Sequence, residues 1–231
     1  MRTHLLLPLL AVFAAAPATP LAAQEFSLGA DLMSRYVWRG TDFGESASVQ
    51  PTLAFSAGGF EIGTWASYGI APEAADVNEH DLWISYGFET SSGTFTLGVT
   101  DYYFPNAGVP FFDFSDGGGA HWIEPFVAYE GPASFPISLF AGVFAYNDPD
   151  NSVYLEASYP FALDGVSLAF TAGASGGRSG LYGTDGFALI NLGLSAVKEI
   201  QVTESFVLPV SVGYIVNPDM EKSYLVFGLS F

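Results

Sequence analysis

The final eight residues, Tyr224-Leu225-Val226-Phe227-Gly228-Leu229-Ser230-Phe231, divide strictly between two faces. Leu225, Phe227, Leu229 and Phe231 share one of them, whereas Tyr224, Val226, Gly228 and Ser230 share the other. A repeat of two is the geometry of a β-strand, and an apolar face backed by a mixed one suits a wall between lipid and a polar interior. Beyond residue 23 no stretch supplies the roughly 18 consecutive apolar residues that a membrane-crossing helix requires. If this chain crosses a membrane, strands must carry it.

Residues 1–23 read as an export leader: Met1-Arg2-Thr3-His4 is basic, Leu5 to Ala16 is apolar apart from Pro8, and Pro20-Leu21-Ala22-Ala23 is a small-residue cleavage region. Cleavage is predicted after Ala23, leaving 24–231 as a single domain. Half of all residues are apolar and 16 % are aromatic, with 26 Gly and 14 Pro, a balance that favours short strands and turns over helices. Loss of Arg2 with the leader leaves five Lys and Arg against 24 Asp and Glu, so nucleic acid is excluded as a partner. The lack of Cys rules out a disulfide framework, thiolate zinc and cysteine nucleophiles.

Alternating segments recur near 25–39, 48–57, 60–68, 80–89, 94–103, 120–130, 137–146, 152–161, 166–174, 187–198, 205–216 and 223–231. The expectation is an all-β, antiparallel transmembrane barrel of about twelve strands. Tight connections such as Gly58-Gly59 and Ala162 to Gly165 alternate with longer ones such as Gly69 to Glu79 and Phe104 to Gly119. Short periplasmic turns, longer external loops and an even strand number follow. A soluble β-sandwich has a similar rhythm, but it would turn polar residues outward where this chain has Leu, Val, Phe and Ala.

The faces can be assigned strand by strand. Phe26, Leu28, Ala30 and Leu32 read as lipid-facing and lead to a girdle of Tyr36 and Trp38. Ile190, Leu192 and Leu194 form another outward stripe, and the segment 137–146 is apolar on both faces. The pore-lining candidates are Asp31, Arg35, Arg39, Glu61, Asp81, Glu124 and Glu156. Arg35 and Arg39 share a face of the first strand, where an arginine row set against carboxylates would sort polar solutes by a transverse field or pair with them to plug the bore.

Three passages carry a family resemblance: Ser34-Arg35-Tyr36-Val37-Trp38-Arg39-Gly40, Ser48-Val49-Gln50-Pro51, and Gly59-Phe60-Glu61-Ile62-Gly63-Thr64-Trp65-Ala66-Ser67. With Asn78-Glu79-His80-Asp81-Leu82 and Asp101-Tyr102-Tyr103-Phe104-Pro105, the stretch 30–105 resembles the TorF-type porin family, with Trp38 standing where Phe is expected. The resemblance implies an outer-membrane barrel that conducts solutes. Phe231 closing the last strand resembles the signal read by the barrel assembly machinery.

Other features point to chemistry less directly. Phe111, Phe112 and Phe114, followed by Gly117-Gly118-Gly119, mark the connection 104–119 as a candidate constriction loop, or as a cap on the rim or on a neighbouring barrel. Acidic residues crowd the long loops, a rim that attracts cations or a surface bridged to lipopolysaccharide. Asn147-Asp148-Pro149-Asp150-Asn151 offers oxygen ligands without the spacing of a known calcium loop, so no metal and no cofactor is expected. The two histidines beyond the leader, His80 and His121, fit no hydrolase or zinc spacing, and the chain reads as a non-enzyme. The expected function is passive diffusion of small solutes across a Gram-negative outer membrane with a preference for cations. The alternative is a non-conducting structural or adhesion barrel whose acidic loops bind lipopolysaccharide or a partner.

Overall fold

A computed structural model describes residues 24–231; the expected leader lies outside them. The strands, in chain order, are β1 Glu25–Met33, β2 Tyr36–Trp38, β3 Thr41–Phe43, β4 Ser48–Ala57, β5 Phe60–Gly69, β6 Glu79–Thr90, β7 Gly93–Tyr103 and β8 His121–Glu130. They continue as β9 Ser138–Val143, β10 Val153–Leu163, β11 Val166–Ser175, β12 Arg178–Ser179, β13 Thr184–Asp185, β14 Ala188–Gln201, β15 Val207–Asn217 and β16 Lys222–Ser230. Twelve of these close into an antiparallel barrel, in which β1 lies between β4 and β16. The remaining four form two small hairpins, β2–β3 and β12–β13, in long connections at the same end of the barrel.

Turn chemistry explains the tight end. Gly58 and Gly59 take φ of 58° and 88° between β4 and β5, and Asp164 and Gly165 take 49° and 75° between β10 and β11. Two consecutive positive φ values match the right-handed twist of the flanking strands. The wall outside is bare hydrocarbon: Leu28, Leu53, Ile62, Leu82, Ile84, Leu97, Leu155, Leu194, Leu225 and Phe227 are all exposed. Soluble monomers seldom leave more than a few hundred Å² of contiguous apolar surface uncovered, so lipid is the solvent this wall fits.

An aromatic belt does form, but not where the sequence placed it. Phe60, Tyr86, Phe88, Phe95 and Tyr129 run ring to ring at centroid distances of 4.6 to 6.4 Å around the tight-turn end, the place such rings take at a membrane interface. Tyr36 and Trp38, expected in an outer girdle, are inside the barrel. The first strand stops at Met33 rather than running to residue 39, and Tyr36 is buried. The stripe through Ile190 is also corrected. The β11–β14 register shifts at Gly173/Ala174, and this bulge turns Ile190 into an interior cluster with Tyr102, Phe144, Tyr154 and Tyr182 while Leu189 faces out.

Candidate functional site

The connection between β1 and β4 does not rise above the barrel; it folds down into the bore. Tyr36-Val37-Trp38 pairs with Thr41-Asp42-Phe43 around the two-residue turn Arg39-Gly40, whose φ values of 48° and 78° are those of a tight hairpin. Val37 packs with Met33, Ile215, Tyr224 and Val226 near the hairpin's own root. The tip crosses to the far wall, where a Cβ on Gly40 would sit 1.9 Å from the carbonyl oxygen of Ile190 in β14. Only glycine allows this approach. Asn217 Nδ2 donates to the Gly40 carbonyl at 3.2 Å.

Arg39 is the anchor. Its Nη1 and Nη2 donate to Oε1 and Oε2 of Glu124 at 2.7 and 2.8 Å, a two-pronged pair, and Nη1 also reaches the Tyr182 hydroxyl at 2.6 Å. Tyr102 donates to Glu124 Oε2 at 2.8 Å. The guanidinium carbon lies 4.4 Å from the Trp38 ring centre and 4.3 Å from that of Tyr154, a cation held between aromatic faces. Arg39 and Glu124 are both fully buried, Glu124 at 0 % exposure. At the hairpin root Arg35 pairs with Asp42 at 3.0 Å. Burial pushes the Asp42 carboxyl up from its ordinary range, and Arg35 beside it opposes that rise.

The two arginines therefore do not stand as a row on the first strand. Arg39 reaches the interior on a hairpin tip and Arg35 braces the hairpin internally. Asp31, Glu61, Asp81, Glu124 and Glu156 lie on inward positions of β1, β5, β6, β8 and β10, alternating with exposed lipid-side residues. Glu61 accepts from Trp83 Nε1 at 2.8 Å, and Glu156 accepts from the Tyr154 hydroxyl and from Asn191 Nδ2. Toward the tight-turn half, small hydroxylic residues, Ser85, Ser158, Thr171, Ser195, Ser211 and Ser230, share the buried inward positions with the apolar Ala54, Phe126, Ala128, Ala169 and Val197, and Thr171 donates to Ser158 at 3.3 Å. Sequence alternation alone missed the hairpin. Its signal was an X-Gly pair between two short β-rich runs, the usual mark of a two-residue turn.

The aromatic loop is likewise corrected. Phe111, Phe112 and Phe114 remain exposed, Phe112 at 84 %; Phe111 and Phe114 pack against the outward residues Tyr103 and His121 rather than in the bore, and Phe112 lies against Phe111. His121 is gripped by Asp101 at 2.8 Å and by the Phe111 carbonyl at 2.6 Å, so the loop is clipped to the barrel exterior. Deleting Pro110 to Gly118 should leave conductance in planar bilayers unchanged within error; an increase would return these rings to the path. The segment 147–151 is also internally occupied: Asp148 accepts from the Ser152 and Asp150 amides, and Asp150 pairs with Arg178 at 2.6 Å. Among the described residues no group of three or more His, Cys, Asp or Glu could hold a metal ion.

No curated protein matches the chain. Among solved structures, it is similar to one titled as the NanC porin in a rhombohedral crystal form, with a TM-score of 0.55 and 11 % identity over 88 % of this chain and 98 % of that one. The shared feature is the barrel fold. A family model described as a bacterial protein of unknown function matches residues 15–207, and the chain belongs to that family, Gcw_chp.

Proposed function

We propose that this barrel is an outer-membrane channel for small solutes, with a preference for cations, whose β2–β3 hairpin is its gate. The observation that carries this is the hairpin itself: a separate element seated across the loop-end half of the bore, above a tight-turn half in which six inward positions are small hydroxyl residues. Apolar side chains such as Phe126 and Val197 share that half, but the run of hydroxyls among them supplies the polar lining that a path for small solutes needs. The inward carboxylates Asp31, Glu61, Glu79, Asp81, Glu124 and Glu156 outnumber the basic groups among them, so an anion meets a field of its own sign. The resemblance of 30–105 to TorF-type porins and the barrel shared with a porin structure agree with this reading. Export through the leader, insertion by the barrel assembly machinery and contact with lipopolysaccharide belong to it as well. No catalysis is required of any residue.

Purified protein in planar bilayers tests it. The intact chain should show small or intermittent conductance, and deletion of residues 36–43 should produce a persistent conductance at least about tenfold larger, the change expected for about 1.4 kcal/mol of gating bias. In a salt gradient the reversal potential of the deleted form should report cations, fading in concentrated salt as screening shortens the field. A folded deletion variant that never conducts would favour the adhesion reading.

A further inference from the structure

Glu79 and Asp81 stand two residues apart on the inward face of β6, and both are buried. Buried carboxylates normally keep a cation or a full set of hydrogen bonds. Here the arginines are engaged elsewhere: Arg39 with Glu124, Arg35 with Asp42 and Arg178 with Asp150. Glu79 accepts at Oε2 from the hydroxyl of Tyr36 on the hairpin at 2.9 Å, and its carboxyl is also hydrogen-bonded to that of Asp81. Asp81 Oδ1 has no partner. Directly across the β5–β6 ladder lies Trp65, only 4 % exposed, whose Nε1 is also unpartnered. Residues facing each other in this way stand about 5 Å apart at Cβ, so an orphan donor and an orphan acceptor are carried by cross-strand neighbours, beside a second carboxylate.

The groups around them suit a particular ligand. The Tyr36 and Trp65 rings lie 5.2 Å apart. Carboxylates beside aromatic rings hold an ammonium group by charge-assisted hydrogen bonds and cation–π attraction. The free indole N–H asks in addition for an acceptor oxygen on the same solute. We propose that Glu79, Asp81 and Trp65 bind a small solute carrying a primary ammonium and a neighbouring hydroxyl or carboxylate oxygen. Its ammonium competes with the Tyr36 hydroxyl for Glu79, so occupancy releases the hairpin from the bore. The release step rests on the gate reading above; the binding step does not.

The test uses three probes of similar size on the full chain refolded in detergent. Ethanolamine carries both groups, ethylammonium lacks the hydroxyl and ethylene glycol lacks the charge. Calorimetric titration should show ethanolamine binding about tenfold or more tightly than either, the worth of pairing the indole N–H over ethylammonium and of one charge-assisted bond over ethylene glycol. Glu79→Gln with Asp81→Asn should abolish that binding. Trp65→Phe keeps the ring but loses the donor, and should erase only the advantage of ethanolamine over ethylammonium. Equal affinity for all three probes, or binding unchanged in the carboxylate variant, overturns the site. Ethanolamine should also raise wild-type conductance. If it binds and conductance stays flat while the hairpin-deleted form conducts, the coupling to the hairpin is wrong; a silent hairpin-deleted form instead condemns the channel reading and leaves the binding result intact.

Discussion

Gly40→Val should leave the barrel assembled and its bore open. The residue sits at φ +78°, and a Cβ there would lie 1.9 Å from the Ile190 carbonyl oxygen, a backbone atom with nowhere to go. The left-handed conformation alone costs an ordinary residue about 1–2 kcal/mol, more for a branched one, and the clash adds to that. In the twelve-stranded wall the contact with position 40 that unseating breaks is the Asn217 side-chain bond to its carbonyl. The whole penalty therefore falls on seating the hairpin. Heat-modifiable mobility should match wild type, residues 36–43 should become cleavable by added protease, and bilayer conductance should approach that of the hairpin deletion. Gly40→Ala should behave alike, because the first side-chain carbon makes the collision. Wild-type conductance from either variant would show that the tip does not close the bore.

Arg39→Ala should undock the hairpin just as fully by another route. Removing one member of a buried ion pair costs about 3–5 kcal/mol, because the charge left behind has neither water nor counter-ion. Glu124 would keep only the Tyr102 hydroxyl. Glu124→Gln strands the guanidinium in the same way, with the rings of Trp38 and Tyr154 as partial compensation. The double variant Arg39→Met with Glu124→Gln leaves no stranded charge and should recover much of the loss. Protease sensitivity of the hairpin, read across wild type, Arg39→Met, Glu124→Gln and the double variant, yields the coupling directly. Additive effects would mean that the pair does not act as a unit.

The wall was legible because lipid and lumen impose opposite demands on alternate residues. Leu225 and Phe227 could be placed outward from pattern alone, and the tight turns from Gly58-Gly59 and Asp164-Gly165. The bore was not legible in this way. Tyr36 and Trp38 continue the phase of Leu32, so alternation extends the strand through them; what breaks it is a tertiary preference for Arg39 to reach Glu124, 85 positions later. Ile190 was misplaced because a bulge adds one residue and reverses every side chain beyond it. Phe111, Phe112 and Phe114 left the place of their loop open between a constriction and a cap on the rim. Apolar residues at the rim can turn inward or lie on the outer wall, and the grip of Asp101 on His121 decides between these. The orphan atoms of Asp81 and Trp65 had no sequence signal at all, since cross-strand neighbours exist only once register is set.

The seam where the barrel shuts has a consequence of its own. β1 pairs with β4 over nine residues but meets β16 from Asp31 to Met33, extended by the two backbone bonds between Ala30 and Phe231 and by that from Ser34 to the Phe227 carbonyl. Glu25 to Gly29 consequently present one unpaired backbone edge. The partners across this join are separated by about 200 residues of chain, so closing it carries the largest loop entropy of any strand pair, although that cost grows only logarithmically with length. Every other neighbour can zip from a connection of its own. Until those few residues meet, the molecule is a curled sheet with two open margins, and such margins recruit strands from other chains. Whether a nascent copy becomes a cylinder or an aggregate is thus settled along a line five residues long, from Ala30 to Ser34.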